Sequence, residues 1–269
     1  MAKIDSSLAS TFGSLWERRE KALILYVTGG DPSLEDLPAI LETLQEGGAD
    51  VIELGIPFSD PIADGPTIQA SDQRALDRAV TPIAVLEALS KARIETPVVL
   101  MGYFNPVLRM GLSEFAAKAK KSGASGTIIT DLTAEESDLW RESSKSAGLD
   151  TIMLAAPTST DARLDEVCWR SSGFVYAVSR TGVTGALQSV PEEVDSLVRR
   201  IKARTELPVC VGFGISRPEH VRTICKVADG AVIGSWLVDL LHRTWDGGRG
   251  REETVKLLKE MKEATRQGL

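Results

Sequence analysis

Eight short apolar runs alternate with amphipathic helical segments along the chain, and this alternation limits the possible folds more than any other feature. Such runs are typical of buried parallel strands, because the connection between two parallel strands is usually a helix. The expected strands lie at residues 22–27, around Glu53, and at 97–101, 127–130, 151–154, 174–178, 209–211 and 231–233. Eight of these units predict an α/β protein with a (β/α)₈ TIM barrel.

The length of the chain fits one barrel. Its 269 residues are close to the roughly 250 of a typical barrel, and no linker divides them, so residues 1–269 are predicted to form a single domain. An additional N-terminal helix is predicted from Ile4, Leu8, Phe12, Leu15 and Trp16, which recur at helical spacing. A doubly wound open sheet would also alternate, but the strand count and the lack of a glycine-rich fingerprint after the first strand speak against it.

Charge and cysteine content narrow the class of protein. A net charge of −7 argues against nucleic acid or an anionic membrane as a main partner, although it leaves room for a local phosphate site. The three cysteines have no short paired spacing, which predicts neither disulfides nor a zinc site and favours a reducing cytoplasm. Residues 1–20 lack the apolar core of a secretory signal, and the apolar runs are too short to span a bilayer.

The stretch from Asp50 to Pro66 contains the most informative acidic residues. Glu53 lies in an apolar run, where an unpaired carboxylate is costly to bury, and Asp60 and Asp64 follow in a loop rich in proline and glycine. A catalytic role would explain Glu53, because catalytic groups of barrels lie at the C-terminal ends of strands. The alternative is that Glu53 faces solvent and that the two aspartates are turn residues.

Three glycine-rich segments in the last third of the chain each follow a predicted strand. They lie at residues 181–185, 212–216 and 234–235. Glycine allows backbone N–H groups to approach an anion closely, and barrels commonly bind phosphate at the loops after their last two strands. One such segment would usually be a turn, but three at corresponding strand ends favour a phosphate site. No lysine lies in them, so backbone amides and the Ser235 hydroxyl would bind the negatively charged phosphate.

Several common types of active site are missing from the sequence. The predicted strands contain no lysine for a Schiff-base aldolase. The two histidines, His220 and His242, lie on predicted helices and are interpreted as surface or packing residues, so no metal site is predicted. A Gly-x-Ser-x-Gly elbow is also absent. The candidate groups that remain are carboxylates and a phenol, together with a phosphate-binding site.

The segment from Glu53 to Pro66, together with residues 179–185 and 212–216, resembles the signatures of the tryptophan synthase α subunit family. The resemblance covers nearly the whole chain. It implies a barrel that cleaves indole-3-glycerol phosphate to indole and glyceraldehyde 3-phosphate, and passes the indole to a β subunit that makes tryptophan from serine. It also implies an α₂β₂ assembly, pyridoxal phosphate in the β subunit, and no cofactor or metal in this chain.

The same resemblance implies roles for individual residues. Glu53 is the acid–base group, Asp64 holds the indole N–H, and Tyr176 is a phenol beside them. The other positions form the substrate and phosphate site (Gly185, Gly212, Phe213, Gly214, Gly234, Ser235), a mobile lid at residues 181–189 (Thr184) and the contact with the β subunit (Asp60, Tyr103, Asn105, Pro106).

Two departures from the family pattern concern the partner contact and the phosphate site. Thr133 stands where the family usually has proline, and the bulky Trp236 stands where a small residue is usual. Two other functions stay open: a neighbouring phosphate-binding barrel of the same pathway, which would share the glycine-rich site, and a subunit that mainly activates its β partner. The intact Glu53, Asp64 and Tyr176 argue against the second of these.

Overall fold

The computed structural model describes residues 7–178, 190–212 and 214–266, and within these ranges nine short strands form one parallel sheet. The strands are β1 Ala22–Thr28, β2 Val51–Gly55, β3 Val98–Gly102, β4 Ala124–Ile129, β5 Asp150–Thr151, β6 Leu154–Ala155, β7 Val175–Val178, β8 Val209–Gly212 and β9 Gly230–Ile233. All but a few of their residues are buried, as expected for strands that have a packed interior on one side and helices on the other.

The sheet closes on itself at the predicted fifth strand. The strand order is β5-β4-β3-β2-β1-β9-β8-β7-β6, so β5 and β6 are the two ends, and only Ile152 and Met153 separate them in the chain. The Ile152 N–H donates to the carbonyl oxygen of Thr127 (2.9 Å), and the Met153 carbonyl accepts from the N–H of Tyr176 (3.1 Å). β5 and β6 are therefore two halves of one strand that joins both neighbours, and the predicted (β/α)₈ barrel is confirmed.

Helices connect the strands on the outside of the barrel. In the described part of the chain they are α1 Ser7–Glu17, α2 Leu37–Glu46, α3 Pro66–Asp77, α4 Pro82–Leu89, α5 Phe104–Met110, α6 Leu112–Lys121, α7 Asp138–Ala147, α8 Asp161–Arg170, α9 Glu192–Lys202, α10 Pro218–Ile224, α11 Ser235–Thr244 and α12 Arg251–Ala264, with a 3₁₀ turn at Ala134–Glu136. No helix among them is long and apolar enough to cross a membrane.

Helix α1 closes the N-terminal end of the barrel. Leu8, Phe12 and Leu15 are buried in the cluster that fills the barrel interior, and the Phe12 ring lies 5.9 Å from that of Phe174. The prediction of an amphipathic helix here is confirmed, but the placement of Trp16 on its apolar face is wrong, because this side chain is 79% exposed. The buried face is one narrow stripe. Residue 4 lies outside the described residues.

Two helices, α3 and α5, were not predicted from the sequence. Residues 66–77 form α3, whose buried positions include the polar Ser71 and Asp72, so the helical period is hidden in its sequence. Asn105 and Pro106 lie in the first turn of α5, where proline is tolerated because its missing N–H has no helical partner to lose. Both helices lie at the end of the barrel where the strands terminate.

Candidate active site

A cavity of about 540 Å³ opens at the C-terminal ends of the strands. Among the described residues its walls come from six strands, from the loops that follow β2, β8 and β9, and from α3 and α11. They are Tyr26, Glu53, Ala63, Asp64, Gly65, Thr67, Ile68, Met101, Tyr176, Val178, Gly212, Gly214, Ile215, Ser216, Val232, Gly234, Ser235, Trp236 and Asp239. The structure therefore brings together seven of the residues expected at the site, while Thr184, Gly185 and Phe213 lie outside the described residues.

Glu53 lies on the wall of this cavity. Because side chains alternate along a strand, Ile52 and Leu54 pack into the core cluster that the outer helices share, and Glu53 faces the barrel interior. It is fully buried, and neither carboxylate oxygen has a partner in the described part of the chain. Burial raises the pKa of Glu53 to about 8. Glu53 can therefore hold a proton at neutral pH and release it to a substrate.

Asp64 is held at the cavity mouth by Tyr103. The Tyr103 hydroxyl donates to Asp64 Oδ2 (2.7 Å) and accepts from the Ala63 N–H (3.0 Å). Partial burial raises the pKa of Asp64, and the Tyr103 hydrogen bond opposes this rise. Gln69 Nε2 donates to the Asp64 carbonyl oxygen (2.8 Å), which fixes the backbone too. Asp64 is thus a carboxylate of defined position beside the cavity.

Tyr176 lies on β7 and reaches the cavity because a glycine faces it. A Cβ atom placed on Gly212 would lie 2.4 Å from the Tyr176 hydroxyl oxygen, so any larger residue at position 212 would displace the phenol. Burial raises the pKa of Tyr176 well above its ordinary value, so the phenol stays neutral. It can donate or accept a hydrogen bond in the cavity but carries no charge.

The expected phosphate site lies at the ends of β8 and β9. Gly212, Gly214 and Gly234 all line the cavity, and Gly214 adopts a φ of +56°, which favours glycine. Gly234 caps the ten-residue helix α11, and Ser235 is its first residue. Free N–H groups and the positive end of a helix dipole suit an anion. Trp236, the next residue, lines the same cavity.

A chain of hydroxyl groups behind the cavity was missed by the sequence interpretation. The Tyr26 hydroxyl oxygen lies 3.3 Å from Thr28 Oγ1, which lies 2.6 Å from Ser71 Oγ, and Ser71 donates to the Ile68 carbonyl oxygen (2.7 Å). The Ser71 hydroxyl donates its proton to the Ile68 carbonyl oxygen, so it can only accept from Thr28. The Thr28 hydroxyl therefore donates to Ser71, and the Tyr26 hydroxyl donates to Thr28. These hydrogen bonds connect α3 to β1. The register that pairs Tyr26 with Glu53 on the adjacent strand is visible only in the structure, so no signal in the sequence marked these hydroxyl groups.

The residues expected at a partner contact lie near the mouth of the cavity but do not line it. Asp60 and Asn105 are exposed, and Pro106 is half-buried. Tyr103 is buried, and its ring stacks on Phe58 with centroids 4.9 Å apart. Two exposed apolar side chains, Ile62 and Leu108, occur on the same two segments.

The two positions at which the sequence departs from the family pattern, Thr133 and Trp236, both pack against or bond to neighbouring residues. The Thr133 hydroxyl donates to Glu136 (3.0 Å) at the 3₁₀ turn, and Trp236 is half-buried against the core. Within residues 7–178, 190–212 and 214–266, no group of three or more His, Cys, Asp or Glu side chains could hold a metal ion.

Comparison with known proteins places this geometry in one family. The sequence model of the tryptophan synthase alpha chain matches residues 12–266. The alpha chain of Carboxydothermus hydrogenoformans is 45% identical over 255 residues, covering 94% of this chain and 96% of that protein, and the alpha chain of Methanocaldococcus jannaschii is 44% identical over 242 residues, covering 89% and 86%.

Solved structures agree with the sequence comparison. The tryptophan synthase subunit alpha of Legionella pneumophila superimposes with a TM-score of 0.88 at 35% identity, covering 97% of this chain and 98% of that chain. A Mycobacterium tuberculosis tryptophan synthase structure gives a TM-score of 0.89 at 37% identity, with coverage of 97% and 98%. On a family match that spans residues 12–266 and on relatives this similar over nearly their full length, the chain belongs to the tryptophan synthase alpha chain family.

Proposed function

We propose that this chain cleaves indole-3-glycerol phosphate to indole and glyceraldehyde 3-phosphate by a retro-aldol reaction, with Glu53 as the acid–base catalyst. One observation supports the role of Glu53 above all others. Its carboxyl is fully buried on the wall of the cavity, and neither oxygen has a partner in the described residues, although such groups are nearly always paired. A substrate would supply the missing partner.

The reaction needs two proton transfers, and Glu53 can perform both. With a pKa of about 8, Glu53 begins protonated at neutral pH and gives its proton to the indole carbon that carries the glycerol chain. The carboxylate that remains then takes the proton of the adjacent side-chain hydroxyl as the carbon–carbon bond breaks. Glu53 gives one proton and regains one, so it ends in its starting state. The electrons of the broken carbon–carbon bond return to the indole ring.

Asp64 and Tyr176 would act on the indole between these two transfers. Protonation at carbon leaves a positive charge shared with the ring nitrogen, and a carboxylate that accepts the N–H hydrogen bond stabilises that charge. Asp64 can do this because Tyr103 holds it at the cavity mouth. The neutral Tyr176 phenol lines the same cavity from β7 and would contact the indole ring there.

The phosphate would bind at Gly212, Gly214, Gly234 and Ser235. These residues supply backbone N–H groups and a hydroxyl at the N-terminus of α11, which favours a dianion without a lysine. The anchoring of a remote phosphate can hold the reacting carbon near Glu53. Thr184, Gly185 and Phe213 are assigned to the same substrate site and its lid by the family resemblance alone.

The family also supports a β subunit as the partner, in an α₂β₂ assembly in which pyridoxal phosphate belongs to the β subunit and this chain needs no cofactor. The candidate contact is the rim formed by Asp60, Ile62, Asn105 and Leu108, which are all exposed. Exposed apolar side chains beside polar ones are typical of such a surface. The buried, unpaired cysteines support a cytoplasmic location.

The test is release of indole from indole-3-glycerol phosphate by the purified chain, with and without a β subunit. Glu53→Gln keeps the size of the side chain and removes its acid–base function, so we expect cleavage to fall by about 10²–10⁴-fold, while titration with glyceraldehyde 3-phosphate gives unchanged affinity. Glu87→Gln, an exposed position on α4, is the matched control.

Each outcome bears on a different part of the proposal. Cleavage that survives in Glu53→Gln would remove Glu53 from the mechanism. No cleavage by the unmodified chain under either condition, with the β reaction still stimulated, would instead assign this chain a regulatory role.

A further inference from the structure

Tyr26 on β1 lies between the two ends of the site. Its neighbours Leu25 and Val27 pack into the core cluster outside the sheet, so the Tyr26 side chain points into the barrel, where it lines the cavity. On one side, a Cβ atom placed on Gly234 would lie 3.7 Å from the Tyr26 Cβ atom. On the other side, a Cβ atom placed on Gly55 would lie 2.2 Å from the Tyr26 hydroxyl oxygen. The phenol therefore extends from the expected phosphate site towards β2.

The strand register places the Tyr26 hydroxyl beside Glu53. Tyr26 is the partner of Glu53 in the pairing of β1 with β2, and neighbouring strands lie about 4.8 Å apart. Gly55 follows Glu53 by two residues, so it faces the same side of β2, about 7 Å further along the strand towards the cavity. The Tyr26 hydroxyl fills the space that a side chain at position 55 would occupy. It therefore lies on the cavity side of Glu53.

The hydrogen bonds of this hydroxyl run in one direction. Ser71 Oγ donates to the Ile68 carbonyl oxygen (2.7 Å), so it can only accept from Thr28 Oγ1, which lies 2.6 Å away. The Thr28 hydroxyl has then used its proton, and it can only accept from the Tyr26 hydroxyl at 3.3 Å. Burial raises the pKa of Tyr26 well above its ordinary value, so the phenol keeps its proton. Because that proton is directed at Thr28, the phenol can offer a ligand only an acceptor.

The substrate of the proposed reaction carries a donor at the matching place. Its glycerol chain joins the indole ring to the phosphate, with one hydroxyl on the carbon next to the ring and another on the middle carbon. Glu53 takes the proton of the first hydroxyl during cleavage. With the phosphate at Gly234 and the ring near Glu53, the chain would run along the Tyr26 phenol. The middle hydroxyl then needs an acceptor, because a buried polar group without a partner is costly.

We propose that Tyr26 is a further substrate-binding residue, whose hydroxyl oxygen accepts a hydrogen bond from the middle hydroxyl of the glycerol chain. Thr28 and Ser71 are positioning residues that fix the direction of this hydrogen bond. The identity of the ligand rests on the proposed function, whereas the direction of the hydroxyl groups does not. The site therefore prefers a glycerol chain to a plain alkyl chain between ring and phosphate.

The first test compares two ligands that differ only in the chain hydroxyls. They are indole-3-glycerol phosphate and an analogue in which a plain propyl chain joins the indole ring to the phosphate. Both are titrated by calorimetry into Glu53→Gln protein, in which cleavage is slow, with and without Tyr26→Phe. Loss of one hydrogen bond should weaken binding of the glycerol ligand by about three- to tenfold and change that of the propyl ligand by less than about twofold.

The second test measures the direction of the hydrogen bond. It uses a third ligand, with a carbonyl oxygen in place of the middle hydroxyl, which can accept but not donate. This ligand should bind no more tightly than the propyl ligand while Thr28 holds the Tyr26 proton. Thr28→Val frees that proton, so binding of the carbonyl ligand should become about threefold tighter. Thr43→Val is the matched control, because it removes a buried hydroxyl on α2 that donates to Ala39, and it should change no affinity.

The inference is overturned if Tyr26→Phe weakens the glycerol and propyl ligands equally or weakens neither, or if the carbonyl ligand binds as tightly as the glycerol ligand before Thr28 is changed. If the unmodified chain releases no indole, the proposed function fails, and the titrations, which need no turnover, still decide whether Tyr26 recognises the chain hydroxyl. Failure of the protein to bind any of the three ligands would overturn both proposals. If Tyr26→Phe does not fold, Thr28→Val and the carbonyl ligand carry the test.

Discussion

The buried carboxyl of Glu53 should make the folding stability of this protein depend on pH in a way that one variant can isolate. The pKa of Glu53 rises from 4.5 to about 8 on folding, because burial disfavours its charged form. Between these two pH values the folded protein holds a proton that the unfolded chain releases. Stability therefore decreases as the pH rises through this window, and Glu53→Gln, which cannot ionise, should not share the decrease.

The size of the effect follows from the two pKa values. Linkage over this interval predicts that the unmodified protein loses about 3 kcal/mol relative to Glu53→Gln between pH 5 and pH 8. At pH 5 the two proteins should be nearly equal, apart from the cost of burying an amide. At pH 8 the variant should be the more stable, although its cleavage activity is strongly reduced, as is often found when a buried catalytic group is replaced.

Urea unfolding followed by circular dichroism at pH 5, 6, 7 and 8 would measure this difference, with Glu87→Gln as the control for surface effects. Comparing variants at each pH cancels the contribution of the other acidic groups. Parallel stability curves for Glu53→Gln and the unmodified protein would refute the reasoning, since they would mean that Glu53 ionises in the folded state as it does in water.

Two further predictions concern packing. Gly55→Ala should disturb the active site, because a Cβ atom at this position would lie 2.2 Å from the Tyr26 hydroxyl oxygen. We expect a loss of about 1–3 kcal/mol in urea unfolding together with weaker cleavage. Gly65→Ala, with nothing within 4 Å of its Cβ, should be nearly silent in urea unfolding. Phe12→Ala should lower the free energy of unfolding by about 3–5 kcal/mol, because it leaves a void at the closed end of the barrel. Trp16→Ala should change it by no more than about 0.5 kcal/mol. Equal losses from the two variants would show that α1 does not close the barrel as described.

The barrel could be predicted from the sequence because each of its strands is buried on both sides. A strand such as β1 then reads as a continuous apolar run, which is a strong signal. The same property hides the residue of β1 that matters for the site, since every position from Ala22 to Thr28 is buried and nothing in the run marks Tyr26 as facing the cavity. Only the register with Glu53 on β2 reveals it.

Glu53 and Asp64 could be found because acidic residues in an apolar or Pro/Gly-rich setting stand out, and because the surrounding residues match a family signature. The buried position of Asp72 could not be predicted, because the helix that carries it buries two polar residues and only two apolar ones. A face of that kind has no apolar period to detect. The placement of Trp16 on the buried face of α1 was wrong for a different reason. Its spacing fits a helix, but spacing alone does not say how wide the buried face is.

Helix α1 leaves the barrel with one open end. The rings of Phe12, Phe174 and Tyr176 follow one another from the closed end to the cavity, with centroids 5.9 and 6.4 Å apart. In the described part of the chain, a substrate then has one route in, and both products share that route out. Their departures become sequential, so a partner that draws off one product at this mouth would set the order in which the two are released.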